Sequence, residues 1–557
     1  MKEKLTKAIV SACKELFDAD VQIELVRPDE QFGDYATNVA LQLGKKLGKN
    51  PREIGESLAE KLREQLAGNV SQVEVAGPGF LNIKLTDGAL VEQGLAAPVS
   101  RPQLYQDKVV VAEYSDPSAF KVLHAGHLYT SVVGDAIANL IEAAGGTVHR
   151  VNFGGDVGLH VGKTMWAIVK ELGGEHPEKL DDIPAGSRAD WMSARYVEGN
   201  NAYDDDESSQ AAIAQINKHV YQVVADNDRE SPFGRIYWTC RQWSYDYFDA
   251  FYARIGSHFE KYYPESITGP VGIKVVREQL AKGVYEESDG AVVFKGEPHG
   301  LHTRVFINSQ GLPTYEAKDV GLSMMKWEEY HFDRSIIITD NAQAQYMEVV
   351  IKSIEQFAPE LARGTTHLTH GLVKLAGGMK MSSRKGNIVR AVDVLDAAYA
   401  ASKKAGFDNE PAAFGAVKYA FTRSRLGSDI VYDPEESVSL EGNSGPYIQY
   451  AHARARSILR KSEVEPGKAT ELEPGERSLL RKISEYPEVF EKATTELMPH
   501  HICTYLYELA QAFNRFYEKN RVIDDPREAV RLSLVEAYAD TLEDGLGLLG
   551  IHAPDKM

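Results

Sequence analysis

Leu123-His124-Ala125-Gly126-His127-Leu128 is the stretch around which the chain is organised. Before it stands Val109-Val110-Val111-Ala112-Glu113-Tyr114, an apolar run that reads as a buried parallel strand. After it, Val132, Val133, Ala136, Ile137, Leu140 and Ile141 recur at helical spacing between Tyr129 and Ala144, and Gly145-Gly146 stops that helix. Val148 to Asn152 reads as the next strand. The His-Ala-Gly-His segment is thus expected to open a helix directly after a strand. A nucleotide-binding α/β fold puts a phosphate there, because free N–H groups and the helix dipole favour an anion. His124 and His127 share a helix face, and Gly126 lets a flat group approach the backbone. Taken alone, the pair fits a metal half-site or two surface histidines equally well.

Far downstream runs Gly378-Met379-Lys380-Met381-Ser382-Ser383-Arg384-Lys385-Gly386-Asn387. It is a basic, glycine-bounded stretch of small hydroxyl residues, suited to holding phosphates and releasing them. Alone it is also any solvated basic loop.

At 557 residues the chain exceeds one core, and about three domains are expected. Its apolar and charged fractions are those of a globular protein. No apolar run reaches membrane-spanning length, and Met1-Lys2-Glu3-Lys4 lacks a signal-peptide core. Cys13, Cys240 and Cys503 lie far apart, offering neither a disulfide framework nor a zinc cluster, which fits a reducing cytoplasm. A net charge of −19 argues against nonspecific polyanion binding, yet leaves room for RNA if basic residues are segregated on one face.

Along the chain, Leu5 to Leu16 and Leu58 to Leu66 read as helices, and Val73 to Val75 and Phe80 to Leu85 as strands, giving a small α/β module. Phe32-Gly33-Asp34-Tyr35-Ala36-Thr37-Asn38 reads as a turn followed by a helix, and Ala97 to Pro102 as a linker. Asn152-Phe153-Gly154-Gly155-Asp156-Val157-Gly158 is a turn at a strand end that binds a ribose or amine, or is only a tight turn. The aromatic run from Tyr237 to Phe251 suits helix core better than base stacking. Strands return at Gly290 to Phe294, Thr303 to Ile307, Arg334 to Thr339 and His370 to Leu375. Tyr315 and Asp319 share a face of a helix starting at Tyr315. From about Glu435 the chain reads as helices. Tyr447 to Arg456 and Ala512 to Arg521 mix aromatic and basic residues, which suits RNA and equally a helical bundle with solvated arginines.

The His124 and Lys380 segments together closely resemble the HIGH and KMSKS motifs of class I aminoacyl-tRNA synthetases. With Phe32-Gly33-Asp34-Tyr35, Gly77-Pro78-Gly79-Phe80-Leu81-Asn82, Tyr196 to Asn200, Ile255 to Phe259 and the ending Gly547 to Ile551, most of the chain is similar to arginyl-tRNA synthetases. The resemblance implies a Rossmann-like catalytic domain at 101–390 with an insertion at about 165–270. It implies a tRNA-elbow-binding α/β module at 1–100, a connecting segment at 391–434 and an all-helical anticodon-binding domain at 435–557. It implies ATP-dependent activation of L-arginine and transfer to tRNA(Arg), with Mg2+ arriving on the nucleotide and no structural zinc. A cytoplasmic monomer without membrane contact is expected.

Carried over residue by residue, the resemblance makes His124, His127, Lys380 and Lys121 catalytic. His124, Gly126, His127, Gly155, Asp156, Met381 and Ser382 would hold ATP. Glu113, Ser118, Tyr315, Asp319 and Gln343 would hold arginine, with Asn341 competing with Gln343. Tyr35, Asn38, Tyr447, Gln449, Tyr450, Arg454, Phe513 and Arg521 would meet tRNA. The chemistry agrees, since a guanidinium requires carboxylate partners and a carboxylate attacking ATP requires stabilised phosphate charge. The chain departs from the family at Ser118 (usually Asn), Tyr129 (Arg), Phe153 (His) and Val157 (Trp). The second lysine of KMSKS is Ser383 here, and Lys121 matches relatives that carry a substitute lysine before the histidine motif.

Overall fold

The computed structural model describes residues 1–376, 389–406 and 408–557. The N-terminal part runs α1 (Lys2–Phe17), β1 (Tyr35–Thr37), α2 (Val39–Leu47), α3 (Pro51–Gln65), β2 (Val70–Ala76), β3 (Phe80–Leu85) and α4 (Asp87–Ala96). The helix expected over 58–66 starts earlier. Asn50 caps it by accepting the Arg52 N–H, and Pro51 occupies the first turn. The Phe32 turn leads into a strand before the helix, because Tyr35 to Thr37 pair antiparallel with Ile83 to Leu81 in a sheet ordered β1-β3-β2.

The central part begins with β4 (Val109–Glu113), α5 (Ala125–Ala143), β5 (Thr147–Gly154) and α6 (Leu159–Glu171). The helices α7 (Arg188–Asp205), α8 (Glu207–Ala225) and α9 (Pro232–Ile255) follow, then β6 (Lys261–Pro264) and α10 (Glu265–Leu280). Next come β7 (Glu286–Ser288), β8 (Ala291–Phe294), β9 (Arg304–Ile307), α11 (Tyr315–Tyr330) and β10 (Arg334–Asp340). The part closes with α12 (Ala344–Glu355), α13 (Pro359–Gly364), β11 (Thr365–His370) and β12 (Val373–Leu375). The main sheet has five strands in the order β11-β10-β4-β5-β6, all parallel.

Three sequence expectations change. The connection 114–124 separates β4 from α5, with Ser115, Asp116 and Phe120 at positive φ, so the histidine segment does not follow the strand directly. Strand β6 pairs with β5, so the sheet resumes inside the range read as insertion. Strands β8 and β9 form a separate antiparallel sheet with β7 and do not extend the main one. The aromatic run behaves as expected: Tyr237, Trp243, Phe248 and Phe251 are buried along α9.

The last part comprises α14 (Ala391–Lys404), α15 (Glu410–Thr422), β13 (Ile430–Tyr432), α16 (Pro434–Ser437), α17 (Gly445–Lys461), α18 (Pro474–Ile483), α19 (Tyr486–Glu496), α20 (His500–Lys519) and α21 (Glu528–Leu548). One apolar core joins the helical part to the N-terminal part, running from Leu90 and Val91 through Leu479, Leu480 and Ile483 to Leu542. At Gly94 a Cβ would meet the Leu480 side chain at 2.4 Å, so glycine is what lets α4 and α18 touch. The chain end lies along the catalytic and helical parts. Lys418 Nζ donates to Gly550 O at 2.7 Å, and Gln449 Nε2 donates to His552 O at 2.8 Å.

Beside that core sits a buried polar joint. Asp34 is 2% exposed; its Oδ2 accepts the Leu85 N–H at 2.8 Å and Arg477 Nη2 at 2.6 Å. Tyr35 donates to Glu488 at 2.9 Å while accepting from Arg27 at 2.7 Å and Gln93 at 2.8 Å. Removing one partner of such a pair strands the other in a poor dielectric. Asp34→Ala is expected to cost about 3 kcal/mol in urea unfolding and to speed proteolysis between α4 and β4. Wild-type stability and cleavage rate in the variant would refute the joint.

Candidate functional site

The start of α5 is capped reciprocally. His124 Nδ1 accepts the Gly126 N–H at 3.1 Å, and His127 Nδ1 accepts the His124 N–H at 3.1 Å. Both Nδ1 atoms are therefore acceptors, so each neutral ring carries its proton on Nε2. The rings lie 3.8 Å apart. Burial, then Lys121 and His370, push His124 down to about 4. Burial, His124, Lys121 and His370 hold His127 well below the usual histidine range. The site thus presents a pair of neutral Nε2–H donors at a helix N-terminus. Gly126 has a different job from the expected one: a Cβ there would lie 2.8 Å from the His124 ring, so glycine makes room for the cap.

Lys121 is half-buried on the same connection, 5.5 Å above the Tyr196 ring. Burial lowers its pKa, opposed by Glu265. Its charge acts on His124, His127 and also His160, which burial, Lys121 and Lys318 together push down to about 3. The sequence reading passed over His160. The segment 389–391 is stitched to the histidine segment: Ala125 N donates to Val389 O at 3.0 Å, and Ala391 N to Leu123 O at 2.9 Å. Lys380, Met381, Ser382 and Ser383 lie outside the described residues. Tyr129 is fully buried, edge-on to His370 and Phe421, and so serves as core.

At the carboxyl end of the sheet a cavity of about 350 Å³ brings together Glu113, Asp116, Ser118, Tyr315, Asp319 and Gln343. Phe153, Gly155 and Glu265 also line it. Glu113 pairs with the buried Lys326, whose Nζ also donates to Ser335 Oγ at 3.1 Å. Glu265 pairs with the buried Lys318 at 2.5 Å. Asp319 lies one helical turn beyond Tyr315, and burial, then Glu113, holds it well above the usual carboxylate range. Asp116 is raised likewise by burial and Glu113, while its Oδ1 accepts the Phe153 N–H at 2.8 Å. Tyr315 stands 56% exposed at the mouth, with Lys318 Nζ 4.9 Å over its ring. The Asn341 amide donates to Gly427 O at 3.3 Å, whereas Gln343 lines the cavity.

Asp156 is corrected. It is fully buried, accepting Arg241 Nε at 2.8 Å and the Ser266 N–H at 2.8 Å, so its charge is spent inside the fold. Val157 is likewise core, packed with Val161, Met165 and Tyr237. Asp116, Glu265 and Lys326 were missed. The one available signal was for Asp116, an acid just beyond a strand end in the connection to the histidines.

Several residues expected to meet tRNA are interior. Tyr35 is fully buried in the joint with Glu488. Gln449 is 1% exposed and holds the His552 carbonyl, and Phe513 is 1% exposed and stacks on Tyr538 at 4.0 Å. Tyr447 is half-buried, accepting from Asn514 at 2.9 Å. Asn38 is half-buried and accepts from Gln42 at 2.7 Å. Tyr450 is 44% exposed. Arg454 is exposed with its guanidinium 4.7 Å over Tyr517, and Arg521 is exposed and paired with Asp524. Phe80, 43% exposed on β3, is an aromatic surface that the sequence reading placed in a motif but not among the tRNA contacts.

A parallel nucleotide-binding sheet, a histidine-capped helix at its carboxyl end and a helical C-terminal domain define a class I aminoacyl-tRNA synthetase. Three family models match in order: "Arginyl tRNA synthetase N terminal domain" over residues 1–85, "tRNA synthetases class I (R), catalytic domain" over 89–414 and "DALR anticodon binding domain" over 448–557. The chain belongs to the arginyl-tRNA synthetases. It is 30% identical to the arginine–tRNA ligase of Flavobacterium psychrophilum, with 100% of each chain covered. It is 31% identical to that of Frankia casuarinae over 96% of this chain and 94% of the relative. The arginyl-tRNA synthetase structure from Thermus thermophilus matches with a TM-score of 0.82 at 25% identity, covering 100% of both chains.

The cavity carboxylates set a pH dependence. A cationic ligand in this cavity would meet Asp319 and Asp116, both raised, so its affinity would be full at high pH and fall as protons return. The Kd of a guanidinium ligand should rise as pH drops, and the rise should begin above the ordinary carboxylate range. His124, titrating at about 4, adds no inflection near neutrality. Calorimetric titration across pH tests this, and an affinity that stays flat as pH drops would refute it.

Proposed function

We propose that the carboxylate-lined cavity holds L-arginine and that the capped start of α5 beside it holds the phosphates of ATP. The chain is an arginine–tRNA ligase. It joins arginine to the 3′ end of tRNA(Arg) through arginyl-adenylate. The observation that carries the residue assignment is that the 114–124 connection, which puts Asp116 and Ser118 in the wall of a carboxylate-lined cavity, ends at the capped histidines that start α5.

In the first step an arginine carboxylate oxygen attacks the α-phosphorus, the bond to the bridging oxygen breaks, and pyrophosphate leaves. His124 and His127 donate Nε2–H to phosphate oxygens, and Lys121 adds positive charge, so the growing negative charge meets fixed donors. Glu113 and Asp319 face the guanidinium, Tyr315 covers it from the mouth, and Gln343 and Ser118 complete the wall. Gly155 leaves room at the strand end for the nucleotide. In the second step a hydroxyl of the terminal adenosine attacks the adenylate carbonyl and AMP leaves. Lys380, Met381 and Ser382 hold phosphates by resemblance alone. The donors around the α5 start are imidazoles and an amine, poor ligands for Mg2+, so the ion enters with ATP.

For tRNA, residues 1–100 serve the elbow and 435–557 the anticodon, with 101–390 catalytic and 391–434 connecting them. Tyr450, Arg454 and Arg521 offer a stacking and charged face on the helical domain, and Asn38 with Phe80 offers one on the module. No helix among the described residues is long and apolar enough to cross a membrane. We assign the chain to the cytoplasm as a monomer.

Pyrophosphate exchange over all twenty amino acids, with and without tRNA, should respond to arginine alone; better activation of lysine would overturn the assignment. His124→Ala or His127→Ala should lower adenylation roughly 10²–10³-fold with tRNA binding nearly unchanged. Near-wild-type rates in both variants would displace the phosphate site.

Lys121 stands in for the lysine absent at Ser383. Lys121→Ala should lower adenylation about 10²-fold, and adding Ser383→Lys should restore part of it. An unaffected single variant, or a loss without rescue, would refute the substitution.

A further inference from the structure

The cavity holds one more carboxylate than the guanidinium requires. Glu113 is neutralised by Lys326 and Glu265 by Lys318. Asp319 and Asp116 remain, and neither has an ion-pair partner among the described residues. L-arginine carries two cations, the guanidinium and the α-ammonium. Buried charges of one sign demand partners of the other, so two unpaired acids match two cationic centres.

Placement decides which acid takes which. The α-carbon bears the carboxylate that reacts with ATP, so the α-ammonium sits at the end of the cavity nearest His124 and His127. Asp116 rides on the 114–124 connection that ends at His124. That connection is stitched to β5: the Phe153 N–H binds Asp116 Oδ1, the Gly155 N–H binds Pro117 O at 3.1 Å, and the Ala119 N–H binds Gly155 O at 2.8 Å. Asp319 instead lies on α11, one turn beyond Tyr315 and off the connection that leads to the histidines. Ser118 lines the wall but is neutral and cannot offset an ammonium. Asp116 is held at φ 46, a left-handed conformation that among non-glycine residues suits Asp and Asn. Its Oδ1 is spent on Phe153, which leaves Oδ2 for a ligand.

We propose that Asp116 is a specificity-determining residue that binds the α-ammonium of arginine. This rests on the cavity being the arginine site. Asp116→Asn tolerates the left-handed backbone and retains an oxygen for Phe153, so it removes charge and little else. Calorimetry would compare wild type and Asp116→Asn with three probes. L-arginine and agmatine both carry an amine at the reacting end; 5-guanidinopentanoate keeps the guanidinium and carboxylate without it. Arginine and agmatine should bind at least roughly 10-fold more weakly to the variant, with 5-guanidinopentanoate within about twofold. Equal losses for all three would place Asp116 with the guanidinium or in the fold, and an undiminished arginine affinity would end the proposal. A wild-type protein binding none of the three would overturn the arginine site itself, and the proposal with it.

Discussion

Everything at the active centre hangs on the reciprocal cap of α5. A helix start leaves backbone N–H groups without partners, and here two imidazoles supply acceptors. That choice fixes the tautomer of both rings, so their donors face outward. It also fixes where α5 begins, and hence how the chain leaving β4 must travel. The connection 114–124 carries Asp116, Ser118 and Lys121, and its last residues receive segment 389–391 through backbone hydrogen bonds. One capping interaction therefore sets the placement of both imidazoles, of the cavity wall at Asp116 and Ser118, and of segment 389–391 together.

The second organising fact is a charge imbalance kept out of water. Glu113–Lys326 and Glu265–Lys318 are buried pairs, whose desolvation cost roughly offsets their attraction. They stabilise the fold little, but they anchor β4, α10 and α11 around the cavity in one register. Asp319 and Asp116 lack such partners among the described residues and are kept from ionising easily. A cation entering the cavity relieves that cost. In the arginine reading proposed above, these two carboxyls would favour a cationic amino acid and disfavour an acidic one.

The sequence made the catalytic half legible because its signals are local. Tyr315 and Asp319 four apart, and two histidines three apart at a helix start, are spacings that one helix fixes by itself. Asp116 escaped because no periodicity marks a loop acid, and its neighbours are brought by β5 and α11. Asp156 misled because an acid after a glycine turn looks available until Arg241 and Ser266 arrive from distant helices. Mixed aromatic and basic stretches misled more. Phe513 and Arg521 belong to one such run, yet Phe513 is core and Arg521 is solvent-facing, a division that only packing decides.

Tyr35 shows how a motif can be read for the right family and the wrong reason. The Phe-Gly-Asp-Tyr turn looks like a recognition element because it is polar and aromatic in a module expected to touch RNA. In the fold, Asp34 and Tyr35 instead face Arg477, Arg27 and Glu488, joining the N-terminal module to the helical domain. The apolar core continues across the same boundary. Two surfaces read as contacting opposite parts of one tRNA are thus carried on a single packed body. Their spacing is set by side-chain geometry, to which the linker between α4 and β4 adds Ala97 in the shared core and an Arg101–Asp544 ion pair. In the tRNA reading proposed above, the motif would serve recognition indirectly, by fixing the distance between the two faces.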